Sequence, residues 1–173
     1  MVAAGGSFGR ESLSFRSVNR RGSPDYDPGL QRHHLLPRQL LSRNCFTRLL
    51  QHVGRNEIGF DDFRRNGILL PAREEAVRRT LLPLHRGPHR DYNAMVIERM
   101  GCIESCWAFE RNRCPVKARA EAVRQIGVLQ NALRRRLLDQ ARPILLNRRE
   151  PALREPDFSA LDAMAETLWK AAA

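Results

Sequence analysis

Lysine is almost missing from this 173-residue chain: among 30 basic residues only Lys117 and Lys170 are lysines, and the other 28 are arginines. Long apolar runs are missing as well. No stretch approaches the ~20 apolar residues that cross a bilayer as a helix, so membrane insertion is not expected. Residues 1–10 contain no apolar core of signal-peptide length. A protein made in the cytosol is therefore predicted, or one exported into a target cell without a cleavable signal. Cysteine is sparse and uneven, at Cys45, Cys102, Cys106 and Cys114. That spacing excludes a disulfide scaffold and predicts reduced thiols.

Acids are in the minority, 19 against 30 bases, for a net charge of +11. Arginine offers a flat fork of donors that grips phosphate oxygens in pairs. The excess points to a polyanionic partner, nucleic acid first and an anionic membrane surface second. A coding bias that turns Lys into Arg yields the same composition, so position has to decide. Residues 31–100 carry 13 arginines against seven acids, net +6, and also all five histidines. The hydrophobic fraction of 42% predicts a folded chain, and its length suits one domain or a small domain with an extension.

Residues 1–28 are rich in Gly, Ser and Arg and read as a flexible arm closing in a turn. A short strand is predicted from Leu30 to Leu36. Leu40, Leu41, Phe46, Leu49, Leu50 and Val53 have helix spacing from Pro37 to Gly54. Asn66-Gly67 signals a tight turn before a three-residue strand, Ile68 to Leu70, closed by Pro71. Residues 73–83 are helix-prone. Pro88 opens a long helix through Tyr92, Met95, Val96, Met100, Ile103 and Trp107. Two further helices are predicted, over 116–142 and from the N-cap Ser159 through Leu161, Met164, Leu168 and Trp169. Cys102 and Cys106, one turn apart beside Ile103 and Trp107, read as buried thiols.

Four of the five histidines fall into two groups, His33-His34 and His85-Arg86-Gly87-Pro88-His89. Imidazole is a good neutral metal ligand and titrates near pH 7, which suits a divalent-metal site or a general base. On a strand, His33 and His34 point to opposite sides, so they suit different tasks: one on a metal, the other facing a second reactant. Pro88 is comfortable at a helix start. It places His85 on the preceding loop and His89 in the first turn, with both rings close. His52, at the end of its helix, reads as structural.

His33-His34-Leu35-Leu36-Pro37, then Asn66-Gly67-Ile68-Leu69-Leu70-Pro71, then His85 through Asn93 resemble the AHH family of toxin nucleases. That family belongs to the HNH, or His-Me finger, superfamily, whose ββα-metal site holds one divalent cation. Arg32 stands where the family's name has Ala. With the helices read above, the expected fold is α+β and mostly helical: a small ββα-metal finger with flanking helices and a C-terminal helical extension. The expected division is the arm (1–28), a nuclease domain (29–105) and the extension (106–173), a tail that departs from the family pattern. The resemblance itself covers about residues 30–100. It implies that His33, His85 and His89 hold the metal and that His34 is the general base. Asn66 would brace the loop and orient that base, or approach the metal as in some relatives, and Tyr92 would pack or support the ligands.

Such a site would hydrolyse phosphodiester bonds, with DNA the expected substrate ahead of RNA. Arg32, Arg86 and Arg90 are the nearest candidates for holding phosphates. Three imidazoles suit Zn²⁺, Ni²⁺ or Mn²⁺ better than Mg²⁺. Asp61, Asp62 and Asp91 are candidates for an added oxygen ligand. A bacterial toxin role would bring an acidic immunity protein as partner. Two other readings stand beside it: a housekeeping or phage-type HNH nuclease, and a non-catalytic, arginine-rich helical protein that binds nucleic acid or a partner, with Arg134-Arg135-Arg136 as its basic cluster.

Overall fold

In the computed structural model, which describes residues 11–142, 144–146 and 163–164, a single turn of 3₁₀ helix at Phe15–Ser17 precedes the first strand. That strand, β1, spans Leu30–His34. It is followed by a 3₁₀ segment at Arg38–Ser42, α1 (Asn44–Val53), α2 (Phe63–Asn66) and β2 (Gly67–Pro71). The helices α3 (Glu74–Thr80), α4 (Arg90–Glu110) and α5 (Pro115–Leu138) complete the order. The chain is α+β and mostly helical. Its sheet is the antiparallel pair β1–β2, with His33 opposite Ile68 and His34 opposite Gly67.

The helix expected from Pro37 to Gly54 is broken in two, with extended backbone at Arg43. A helical stripe continued from Leu40 would run through Arg43, Asn44 and Thr47, all polar, so one straight helix cannot bury both apolar groups. α1 instead buries Phe46, Leu49, Leu50 and Val53 and stops at Gly54, whose φ of +89° suits glycine. Strand β1 also ends at His34, two residues short of the expected Leu36.

Asn66-Gly67 is not the tight turn its composition suggested. Asn66 closes α2 and Gly67 begins β2 with an extended backbone. The glycine serves close approach: a Cβ there would collide with the Phe63 ring.

α4 begins at Arg90 rather than Pro88 and turns Tyr92, Val96, Met100, Ile103 and Trp107 inward. Cys102 and Cys106 each precede one of these positions and are rotated by about 100° from it. All four cysteines are free thiols and exposed, which corrects the expectation of buried ones. α5 ends at Leu138, four residues earlier than predicted, and buries a stripe through Ala118, Ala122, Ile126, Leu129, Leu133 and Leu137.

One apolar cluster joins residues of the β1–β2 finger, α1, α4 and α5 with Ile144 and Leu146. The expected division at 105/106 falls inside α4. Residues 11–28 are fastened to the finger: the Phe63 N–H donates to the Leu13 carbonyl at 2.7 Å, and Ser14 bridges to Asp62. The helix expected from Ser159 lies outside the described residues apart from Ala163 and Met164, which are helical. No helix among the described residues is long and apolar enough to cross a membrane.

Candidate metal centre and its flanks

Strand alternation sends Gln31 and His33 to one side of β1 and Arg32 and His34 to the other. His33 points toward the start of α4, where its ring centroid lies 4.9 Å from His85 and 5.4 Å from His89. His85 and His89 are 4.4 Å apart. One ligand atom from each of the three lies within 4.8 Å of the others. His85 sits on the loop before α4, as expected, whereas His89 is the residue capping the helix rather than one within its first turn.

The hydrogen bonds of these rings fix what they can offer. His89 Nδ1 lies 3.2 Å from the Leu146 carbonyl. A carbonyl only accepts, so Nδ1 carries the proton and Nε2 keeps its lone pair. His85 Nδ1 lies 3.1 Å from Gln31 Oε1, which leaves His85 Nε2 free in the same way. His33 is 5% exposed, and its Nε2 is buried with no hydrogen-bond partner. An orphaned buried nitrogen costs about 1–3 kcal/mol. A cation shared with two other imidazoles satisfies it, so the residues fit a divalent metal.

Burial holds the His33 pKa well below that of an ordinary histidine, and the neighbouring His85, His89 and His34 lower it further. Burial and then His89 push His85 down to about 4. His89 is lowered by burial, partly offset by its bond to Leu146. All three are therefore neutral at pH 7, the form that ligates. The ligand cluster contains no carboxylate among the described residues. Asp61 pairs with Arg55 at 2.8 Å, Asp62 caps α2, and Asp91 lies in the first turn of α4.

His34, half-buried, stands apart from this cluster. Its ring stacks on Phe15, with centroids 3.8 Å apart and planes 4° from parallel. Burial lowers its pKa first and the nearby Arg38 second, while Asp61 opposes them.

Asn66 is fully buried behind the histidine pair. Its Oδ1 accepts from the Leu36 N–H at 2.8 Å, its backbone carbonyl accepts from the Leu35 N–H at 2.8 Å, and its Nδ2 donates to the Phe60 carbonyl at 2.9 Å. Gln130 of α5 reaches the same place, donating to the Ile58 carbonyl at 3.0 Å and approaching Asn66 Oδ1 at 3.5 Å. Tyr92 is buried in the first turn of α4 and donates its hydroxyl to the Leu35 carbonyl at 2.8 Å. Burial raises its pKa, so it remains a donor.

Among the arginines picked out by sequence, Arg32 donates Nη1 to the Phe15 carbonyl at 2.8 Å. Arg86 and Arg90 are exposed beside the α4 start. Sequence reasoning missed Phe15, Gln31, Arg38, Gln130 and Leu146. Gln31 was accessible by alternation, two residues before His33 on the same strand face. The others come from remote segments and carry no local signal.

A family model described as AHH, a nuclease family of the HNH/ENDO VII superfamily with conserved AHH, matches residues 14–140. No curated protein and no solved structure matches the chain. The matched span takes in both histidine groups, Asn66 and all of α5. The chain belongs to the AHH nuclease family of the HNH/ENDO VII superfamily.

Proposed function

We propose that this nuclease is a metal-dependent endonuclease that hydrolyses phosphodiester bonds of DNA in preference to RNA, with His34 as general base. One observation carries the reading. His33, His85 and His89 bring one ligand atom each within 4.8 Å of the others, and His33 Nε2 is buried without a partner, while the adjacent His34 leaves the cluster for the other side of the strand.

A divalent ion held by His33, His85 and His89 would act as a Lewis acid toward the scissile phosphate and the leaving 3′-oxygen. Three nitrogen donors favour Zn²⁺, Ni²⁺ or Mn²⁺ over Mg²⁺. His34 takes the proton of the attacking water as its oxygen bonds to phosphorus and the bond to the 3′-oxygen breaks. The lowered pKa of His34 keeps it neutral and able to accept at pH 7. Asn66 holds Leu35 and Leu36, and so fixes the end of β1 from which His34 projects. Arg32, Arg86 and Arg90 contact backbone phosphates, and Arg38, close enough to His34 to lower its pKa, adds positive charge beside the base.

The family resemblance and the +11 charge support a bacterial toxin role, exerted in a target cell and held in check by an acidic immunity protein. The test is incubation of purified protein with plasmid DNA and with RNA, in Mg²⁺, Mn²⁺, Zn²⁺ or Ni²⁺. Cleavage that chelator stops, and that His34→Ala abolishes while nucleic-acid binding persists, is the expected result. Binding without cleavage in any metal would favour the non-catalytic reading.

A further inference from the structure

We propose that Phe15 is a positioning residue for His34, held in place by Arg32; this rests on His34 being the general base. His85 and His89 each spend one ring nitrogen on a hydrogen bond that sets their orientation. His34 forms no such bond among the described residues. A general base must keep a nitrogen free for water, yet a ring without a partner rotates about two side-chain bonds. Stacking resolves this conflict, because it grips the face of an imidazole and leaves both nitrogens, on the ring edge, clear.

The Phe15 ring lies flat on His34 at 3.8 Å and is itself buttressed edge-on by Phe63 at 5.2 Å. Phe63 can lie there because Gly67, the residue paired with His34, has no Cβ. The segment carrying Phe15 is tied down on both sides. Leu13 donates its N–H to Asp62 Oδ1 at 3.0 Å and accepts from the Phe63 N–H at 2.7 Å. On the other side, Arg32 reaches along the His34 face of β1 and donates to the Phe15 carbonyl at 2.8 Å. Alanine, the residue in the family's AHH signature, cannot make this contact. Arg32 therefore supplies a clamp on Phe15 that an alanine at this position would lack.

The experiment compares Phe15→Leu, Phe15→Tyr, Arg32→Ala and His34→Ala in the full chain. It measures kcat and KM on DNA, metal affinity by calorimetry, and the NMR shifts of the His34 ring protons. Phe15→Leu should lower kcat about tenfold with KM and metal affinity unchanged, and Phe15→Tyr should restore it. The upfield ring-current shift of His34 should vanish in Phe15→Leu and persist in Phe15→Tyr. Arg32→Ala, which keeps the ring but frees its backbone, should lower kcat by about threefold and weaken the upfield His34 shift, whereas loss of a phosphate contact alone would leave that shift unchanged. If Phe15→Leu does not fold, Arg32→Ala and the wild-type His34 shifts decide the matter. Wild-type kcat in Phe15→Leu or Arg32→Ala, with His34→Ala inactive, overturns the positioning role alone. A rise in kcat overturns it too, and makes the segment a lid. Cleavage by His34→Ala overturns the underlying assignment of the base.

Discussion

The His89 ring donates to the backbone carbonyl of Leu146, 57 residues further along the chain and beyond the end of α5. One member of the histidine cluster is thus oriented by a segment outside the matched family span of 14–140. Ile144 and Leu146 are both buried in the common core, which anchors that carbonyl. The double variant Ile144→Ala/Leu146→Ala should loosen it. Partners of this kind change metal affinity by about 10–100-fold when lost. Calorimetric titration with Zn²⁺ or Mn²⁺ should show a fall of about tenfold, and unchanged affinity would refute the orienting role.

The ligand set itself makes a sharper prediction. His33→Ala, His85→Ala or His89→Ala should each weaken divalent-metal binding by at least about 100-fold, since each removes one of three nitrogens. His34→Ala should leave affinity within about threefold. Equal losses in all four variants would mean that His34 belongs to the ligand set.

Acid should destabilise the metal-free protein. His33, His85 and His89 have folded-state pKa values below their unfolded value, so the unfolded chain binds more protons below about pH 6.5. Their stabilising contribution is whole above that pH. It declines as pH falls toward the His85 value of about 4. The melting temperature of chelated protein should drop by on the order of 10 °C from pH 7 to 4.5. Saturating Zn²⁺ at pH 7 should raise it, because the metal binds only the folded cluster. A melting temperature that stays flat down to pH 4.5 would contradict the buried neutral state.

Asn66→Ala should cost stability before it costs chemistry. It would leave the buried Leu36 N–H and Phe60 carbonyl without their side-chain partner. At roughly 1–3 kcal/mol per orphaned group, the loss is about 3 kcal/mol, or close to 10 °C in melting temperature. Asn66→Asp keeps the acceptor for Leu36 and should lose less. Thermal unfolding of the two variants separates these cases.

Much of the site was legible in order along the chain. The opposed directions of His33 and His34 follow from strand alternation, and the closeness of His85 and His89 was expected from Pro88 opening the helix, although α4 starts two residues later, at Arg90. Local pattern failed where two local signals compete. Asn66-Gly67 has turn composition, but Asn66 is consumed by the buried Leu35–Leu36 backbone and Gly67 by the Phe63 ring. The cysteines have helix spacing, yet the core side of α4 was set by Ile103 and Trp107, one residue further round.

By itself, the sequence determined the mostly helical α+β class, the two histidine groups and the arginine excess that suits a phosphate polymer. Those properties reside in periodicity and residue type, which a linear chain already carries. The family resemblance already grouped His33 with His85 and His89; only the tertiary structure decided that Gln31 and Leu146 orient two of these rings and that Phe15 stacks on His34. It also decided that α5 reaches Asn66 through Gln130. Contacts between remote segments depend on which face each element buries, and that is settled only when the apolar stripes pack together.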